Sequence, residues 1–65
     1  MSAQAYIRRI RNAAKRDYAT RYWAWLSRAG PHPDEPEELS YMAAQAVRLQ
    51  LHEHAARNAE TRGRE

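Results

Sequence analysis

A chain of 65 residues without cysteine makes one small domain, which buries only about 60% of the surface its unfolded form exposes and has neither disulfides nor thiolate metal sites to reinforce it. A net charge of +3 and a pI near 9.8 permit an acidic partner without requiring one. No stretch approaches the ~20 apolar residues of a bilayer span, and the first residues lack the apolar centre of a signal peptide, so a cytoplasmic location is expected.

The apolar inventory is thin: 13 of its 28 hydrophobic residues are alanine, leaving seven Leu, Ile and Val, two Met and six aromatics. One helical hairpin makes no deep core from these. Self-association or docking on a larger protein is therefore the expected source of further stability. Ten of the eleven basic residues are arginine, a bias that a GC-rich bacterial or phage genome also produces, so only part of the basic signal is assigned to a partner.

Ser2 suits a helix N-cap. From there Ala3, Ile7, Ile10, Ala14, Tyr18, Tyr22, Trp25 and Ala29 recur at steps of four and three, one broad apolar stripe at ~100° per residue. No proline or glycine interrupts residues 3–29, so one helix of close to ~40 Å is expected. Its end falls at Gly30, suited to the left-handed C′ position, followed by Pro31.

Residues 30–36 form a proline-stiffened connector within the usual helix-to-helix length of roughly 2 to 8 residues, and so short a link implies antiparallel neighbours. Asp34 and Glu37 have capping-box spacing, with Glu35 and Glu38 adding negative charge at the start of the next helix. That helix is expected over about 36–60, fraying through 61–65. Leu39, Met42, Ala46, Leu49, Glu53 and Ala56 follow the alternating steps of a coiled-coil seam. A second line of Ala43, Val47, Gln50 and His54, with Ala44 and Leu51 further round, makes the apolar arc wider than one partner helix needs.

An antiparallel hairpin would set Trp25 near Leu39, Tyr22 near Met42 and Ala43, Tyr18 near Ala46 and Arg11 near Glu53, large residues meeting small ones. The expected fold is all-α: a two-helix hairpin, one domain over 1–65, dimerising into a four-helix bundle. In architecture this resembles the small Rop-type hairpin dimers, RNA-binding regulators of similar length; the resemblance implies the fold alone.

The partner interface is assigned to Trp23, Val47, Leu51 and His54, outside the first seam. Trp23 lies roughly 160° from Trp25 on the helical wheel, so the two indoles do not share one hairpin core. Trp25→Ala is expected to unfold the hairpin, and Trp23→Ala to weaken an association.

Arg8, Arg9, Arg11, Lys15 and Arg16 place five cations within nine residues. They are candidates for phosphate contacts, with Trp23 able to stack on a base; the plainer reading is a solvated face that keeps a small dimer soluble. His52 and His54 are two residues apart and point to nearly opposite sides of a helix, unlike the i,i+3 or i,i+4 pairs of helical metal sites, and His32 lies apart on the connector. No metal or cofactor is therefore expected. With no glycine-rich phosphate loop and no nucleophile beside a histidine and a carboxylate, the chain is not expected to be an enzyme. The first helix has some character of a membrane-surface helix, but a partner helix of matching length is encoded beside it, and no membrane partner is expected. Two readings follow: a non-enzymatic adaptor, accessory or regulatory module acting through its helices, or a nucleic-acid-binding regulator using the arginine face.

Overall fold

The computed structural model describes the backbone of residues 2–63 and the side chains of residues 2–59. Among the described residues the chain is all-α, with helices α1 (Ala3–Arg9), α2 (Ala13–Leu26) and α3 (Tyr41–Gly63) and no strand. The molecule measures 41 × 23 × 17 Å.

Ser2 caps α1, its hydroxyl accepting from the Ala5 amide at 3.1 Å. The single helix expected over 3–29 is instead broken at residues 10–12. Ile10 leaves the helical region at φ −69°, ψ 119°, and Asn12 begins α2 by accepting the Lys15 amide on its side-chain oxygen at 3.0 Å. Asparagine competes with helical backbone through this local bond, which makes it a better cap than interior residue. Arg16 completes the elbow, its guanidinium donating to the Ile10 carbonyl at 3.1 Å, which satisfies a group the end of α1 would otherwise leave open.

The end of α2 also differs from expectation. Arg28, not Gly30, is the left-handed residue, at φ 58°, and neither described glycine lies at positive φ. The Ala29 amide donates to the Ala24 carbonyl at 2.8 Å and that of Arg28 to Trp25 at 2.9 Å, the paired bonds of a Schellman cap with Arg28 at C′. A side chain held there costs about 1–2 kcal/mol, while glycine would lose about 0.5–1 kcal/mol more chain entropy on folding. Arg28→Gly is thus expected to stabilise the fold by roughly 0.5–1 kcal/mol, read as a rise of about 3–6 °C in thermal midpoint.

The connector runs through residues 27–40 rather than 30–36, and α3 starts later than expected. Ser40 supplies the cap, accepting the Ala43 amide on its hydroxyl at 3.1 Å, and its carbonyl accepts from Ala44 at 3.1 Å. Asp34 and Glu37 make no capping box; Pro36 to Leu39 closes a turn, the Leu39 amide donating to the Pro36 carbonyl at 3.1 Å. The helix continues through Gly63, past the end expected near residue 60, so residues 61–63 are helical where fraying was expected, and residues 64 and 65 of that expected tail lie outside the described residues.

The longer link changes how the helices meet. Tyr18 bonds to Arg48 and Tyr22 to His52, so a step of four along α2 matches a step of four in the same direction along α3. The two helices run in the same sense, and the antiparallel hairpin with its Tyr22–Met42 and Tyr18–Ala46 pairs does not form. Arg11 and Glu53 are both exposed, and no ion pair joins them. The connector makes this possible by folding back along α2: Pro33 is buried, His32 meets Trp25 edge-on and Glu35 reaches Arg48.

The core joins Ala3, Ile7 and Ile10 to Tyr18, Ala19 and Tyr22 of α2 and Ala44, Val47 and Leu51 of α3. Ala19 and Ala44 are fully buried. Most of the stripe read from the first half of the sequence is buried as expected. On α3 the expected seam faces outward: Met42, Ala46, Leu49, Glu53 and Ala56 are exposed, and the buried line is Ala44, Val47, Leu51 and His54.

Candidate interaction surfaces

Tyr22 sits at the centre of a cluster drawn from α2, the connector and α3. Its ring centre lies 5.8 Å from that of Tyr18, 5.3 Å from Trp25, 5.8 Å from His32 and 5.6 Å from His52. The Tyr22 hydroxyl shares a 2.8 Å hydrogen bond with His52 Nε2. His32 meets Trp25 edge-on at 4.5 Å between ring centres. Such offset and edge-on ring pairs add about 0.5–1.5 kcal/mol each beyond area burial, so the cluster holds the connector against both helices. The expectation that His32 lies far from His52 is corrected, since the connector's return brings both to one tyrosine.

Arg48 forms the second tie. Its guanidinium donates to the Tyr18 hydroxyl at 3.2 Å and pairs with Glu35, while lying 5.8 Å from the Tyr41 ring centre. The hydrogen bonds to Tyr18 and then to Glu35 raise its pKa above the ordinary arginine value.

Burial, reinforced by Tyr18, raises the Tyr22 phenol above its usual value, with Arg48 opposing; burial alone raises Tyr6. A phenol that holds its proton more tightly in the folded state contributes stability fully present below its unfolded pKa of ~10 and lost as pH rises through the higher folded value. Stability measured by urea unfolding should accordingly fall above about pH 10. Tyr22→Phe should flatten that fall while losing about 1 kcal/mol at neutral pH with the His52 hydrogen bond.

The four residues assigned to the partner interface separate in space. Val47 and Leu51 are fully buried and His54 is 8% exposed, with the His54 ring 5.9 Å from that of Tyr6. All three are therefore interior to the chain's own fold. Trp23 is half-buried and, with Leu26, Ser27 and Arg28, borders an open cleft of about 320 Å³ closed on its other side by Ala55, Asn58 and Ala59. Trp25 is half-buried on the connector side, and, against the expectation that the two indoles do not share one core, both pack against the same core cluster.

Two exposed surfaces remain. The first is the outer face of α3, where Met42 is 79% and Leu49 58% exposed, with Tyr41 at 65% beside them. Tyr41 falls between the seam positions Leu39 and Met42, and its Arg48 partner is set only by the fold. The second is the elbow: Arg8, Arg9, Arg11 and Arg16 are exposed and Lys15 half-buried, and no carboxylate among the described residues pairs with any of the five. Asp17, the nearest acid, pairs with Arg21 at 3.2 Å. The first turn of α2 carries no acidic residue, although a helix N-terminus favours negative charge.

His52 and His54 engage different rings, Tyr22 and Tyr6, and no group of three His, Asp or Glu among the described residues is arranged to hold a metal ion. No helix among them is long and apolar enough to cross a membrane. No protein-family model, curated protein or solved structure matches the chain.

Proposed function

We propose that the chain is a small non-enzymatic interaction module, an adaptor or accessory protein of the cytoplasm, acting through the outer face of α3. The observation that carries this reading is the exposure of Met42 and Leu49 on the side of α3 opposite Val47 and Leu51. Large apolar side chains aligned on one exposed helix face are the usual anchors of helix docking. The dimer expected from the sequence is retained in altered form: association uses α3, not the buried Val47, Leu51 and His54. A photo-cross-linking residue at position 49 should give discrete protein adducts in cells, and one at the polar position of Thr20 should not. An absence of adducts at 49 would overturn the reading.

A second reading, a nucleic-acid-binding regulator, is supported by the elbow, where five cations lie near one bend without a carboxylate partner among the described residues. Neutralising three to five phosphates would give a salt dependence of about −2.7 to −4.5 in log K against log salt for duplex DNA. The test is duplex binding at low and raised salt, with Arg8, Arg9 and Arg16 changed to Glu. No complex at low salt, or one that the substitutions leave intact, would remove it.

A further inference from the structure

We infer that the ligand of the cationic elbow is single-stranded nucleic acid, with one unstacked base seated on Trp23 in the cleft between α2 and α3 and an adjoining phosphate held by Arg28. The inference rests on the nucleic-acid reading of the elbow and goes further in naming the form of the ligand and a second point of contact.

The charges of the chain are segregated. Seven of its eleven basic residues and only one of its eight acids precede residue 34. That acid, Asp17, is paired with Arg21, so α1 and α2 carry a cationic excess that draws an anionic ligand. An exposed path joins the elbow to the cleft. Arg16, Thr20, Trp23 and Ser27 follow steps of four, three and four, one face of α2 at ~100° per residue. Arg16 and Thr20 are exposed, and Trp23 lies two turns beyond Arg16, about 10 Å along the axis.

The cleft has the groups a base and its phosphate need. Its volume of about 320 Å³ is at the small end of ligand sites, ~300–1,000 Å³, with room for one base and none for a duplex. Trp23 and Leu26 supply an apolar wall, while Ser27, Arg28 and Asn58 bring a hydroxyl, a guanidinium and an amide to its edge. None of these three side chains has a hydrogen bond or ion pair among the described residues. The α3 side, Ala55, Asn58 and Ala59, is uncharged, and no described carboxylate lines the cleft. Glu53 and Arg57 each lie roughly 160° round α3 from Ala55.

Arg28 gives a further sign. It holds the left-handed position at the end of α2, which glycine takes more readily, so the helix end by itself gives no reason for an arginine there. The form of the ligand follows from Trp23. A base within a duplex is stacked on both faces, so only an unpaired base reaches the indole. Cations that track the backbone beside an aromatic that stacks a base are the single-strand mode of binding.

The test is fluorescence anisotropy with the unaltered chain and labelled DNA and RNA strands of about 12 nucleotides, beside the matching duplex and an abasic strand of equal charge. Ordinary strands should bind more tightly than the duplex, and about 5- to 150-fold more tightly than the abasic strand, the worth of one stacked base. Either sugar satisfies the inference, and the tighter of the DNA and RNA arms identifies it. With three to six cations engaged, log K should fall against log salt at about −2.1 to −4.2 for a single strand. Trp23→Ala should lose the stacking factor on ordinary strands and nothing on the abasic one, Trp23→Phe should keep most of it, and Arg28→Gly should lower the salt slope by about 0.7. The abasic comparison uses no variant, so it decides even where Trp23→Ala fails to fold. Equal binding of ordinary and abasic strands, or indifference to Trp23→Ala, would overturn the inference. A duplex bound more tightly than the single strand would overturn it while the nucleic-acid reading stands; no complex with any strand at low salt would remove both.

Discussion

Replacing Tyr22 with alanine is expected to remove about 3–5 kcal/mol of folding stability, as for other large aromatic truncations in cores. A 65-residue domain has roughly 3–10 kcal/mol in total, so most molecules would unfold or come close to it, read by urea denaturation followed by circular dichroism. Tyr22 is 4% exposed and is the shared neighbour of Tyr18, Trp25, His32 and His52. Its loss would open a cavity where α2, the connector and α3 converge. The sequence alone placed this dependence on Trp25. Trp25 is half-buried, with fewer atoms to lose from the interior, and Trp25→Ala should cost less than Tyr22→Ala. Equal losses would mean that the connector, rather than the α2–α3 contact, limits stability.

The second large effect distinguishes two leucines on one helix. Leu51 is fully buried and Leu49 is 58% exposed. Leu51→Ala should cost about 2–5 kcal/mol through lost burial and the cavity left behind. Leu49→Ala should stay within about 0.5 kcal/mol of the original when the protein is dilute enough to be monomeric. Chemical denaturation at low micromolar concentration measures both. A reversed order would restore the seam through Met42, Ala46 and Leu49 as the internal one and refute the packing described above.

How far these features could be read beforehand differs between the two halves of the chain. In the first half the apolar residues lie on one side only, so Ile7, Ile10, Tyr18 and Tyr22 are identified as core from spacing alone. The break between α1 and α2 is hidden because Ile10, Ala14 and Tyr18 keep helical spacing across it, and Asn12 is neither proline nor glycine. In the second half α3 carries two stripes on opposite faces, Ala44–Val47–Leu51–His54 and Met42–Ala46–Leu49–Glu53. Both show the same steps and similar apolarity, so periodicity does not say which is inside. The choice is made by the direction of packing, which depends on link length. Starting α3 at Ser40 instead of Pro36 lengthens the link enough for a return along α2.

The candidate surfaces follow the same division. The cationic elbow was visible as a run of residue types, and its exposure needed only a helix. Val47, Leu51 and His54 lie inside and not at an interface because theirs, not that of Met42 and Leu49, is the inner stripe of α3. His32 left no signal, since its role depends on the connector folding back to Tyr22.

That returning connector also sets a clock. The Tyr18–Arg48 and Tyr22–His52 bonds each join residues 30 apart in the sequence, a long separation for an all-helical chain of 65 residues. Bundles whose neighbouring helices are joined by tight turns gain their contacts locally and fold in microseconds to milliseconds, whereas non-local pairing requires closing a long loop first. Refolding should therefore be slower than in up-and-down helical hairpins of equal length. Stiffness supplied by Pro31, Pro33 and Pro36 shortens the search, because fewer conformations of the link must be sampled before α3 meets α2.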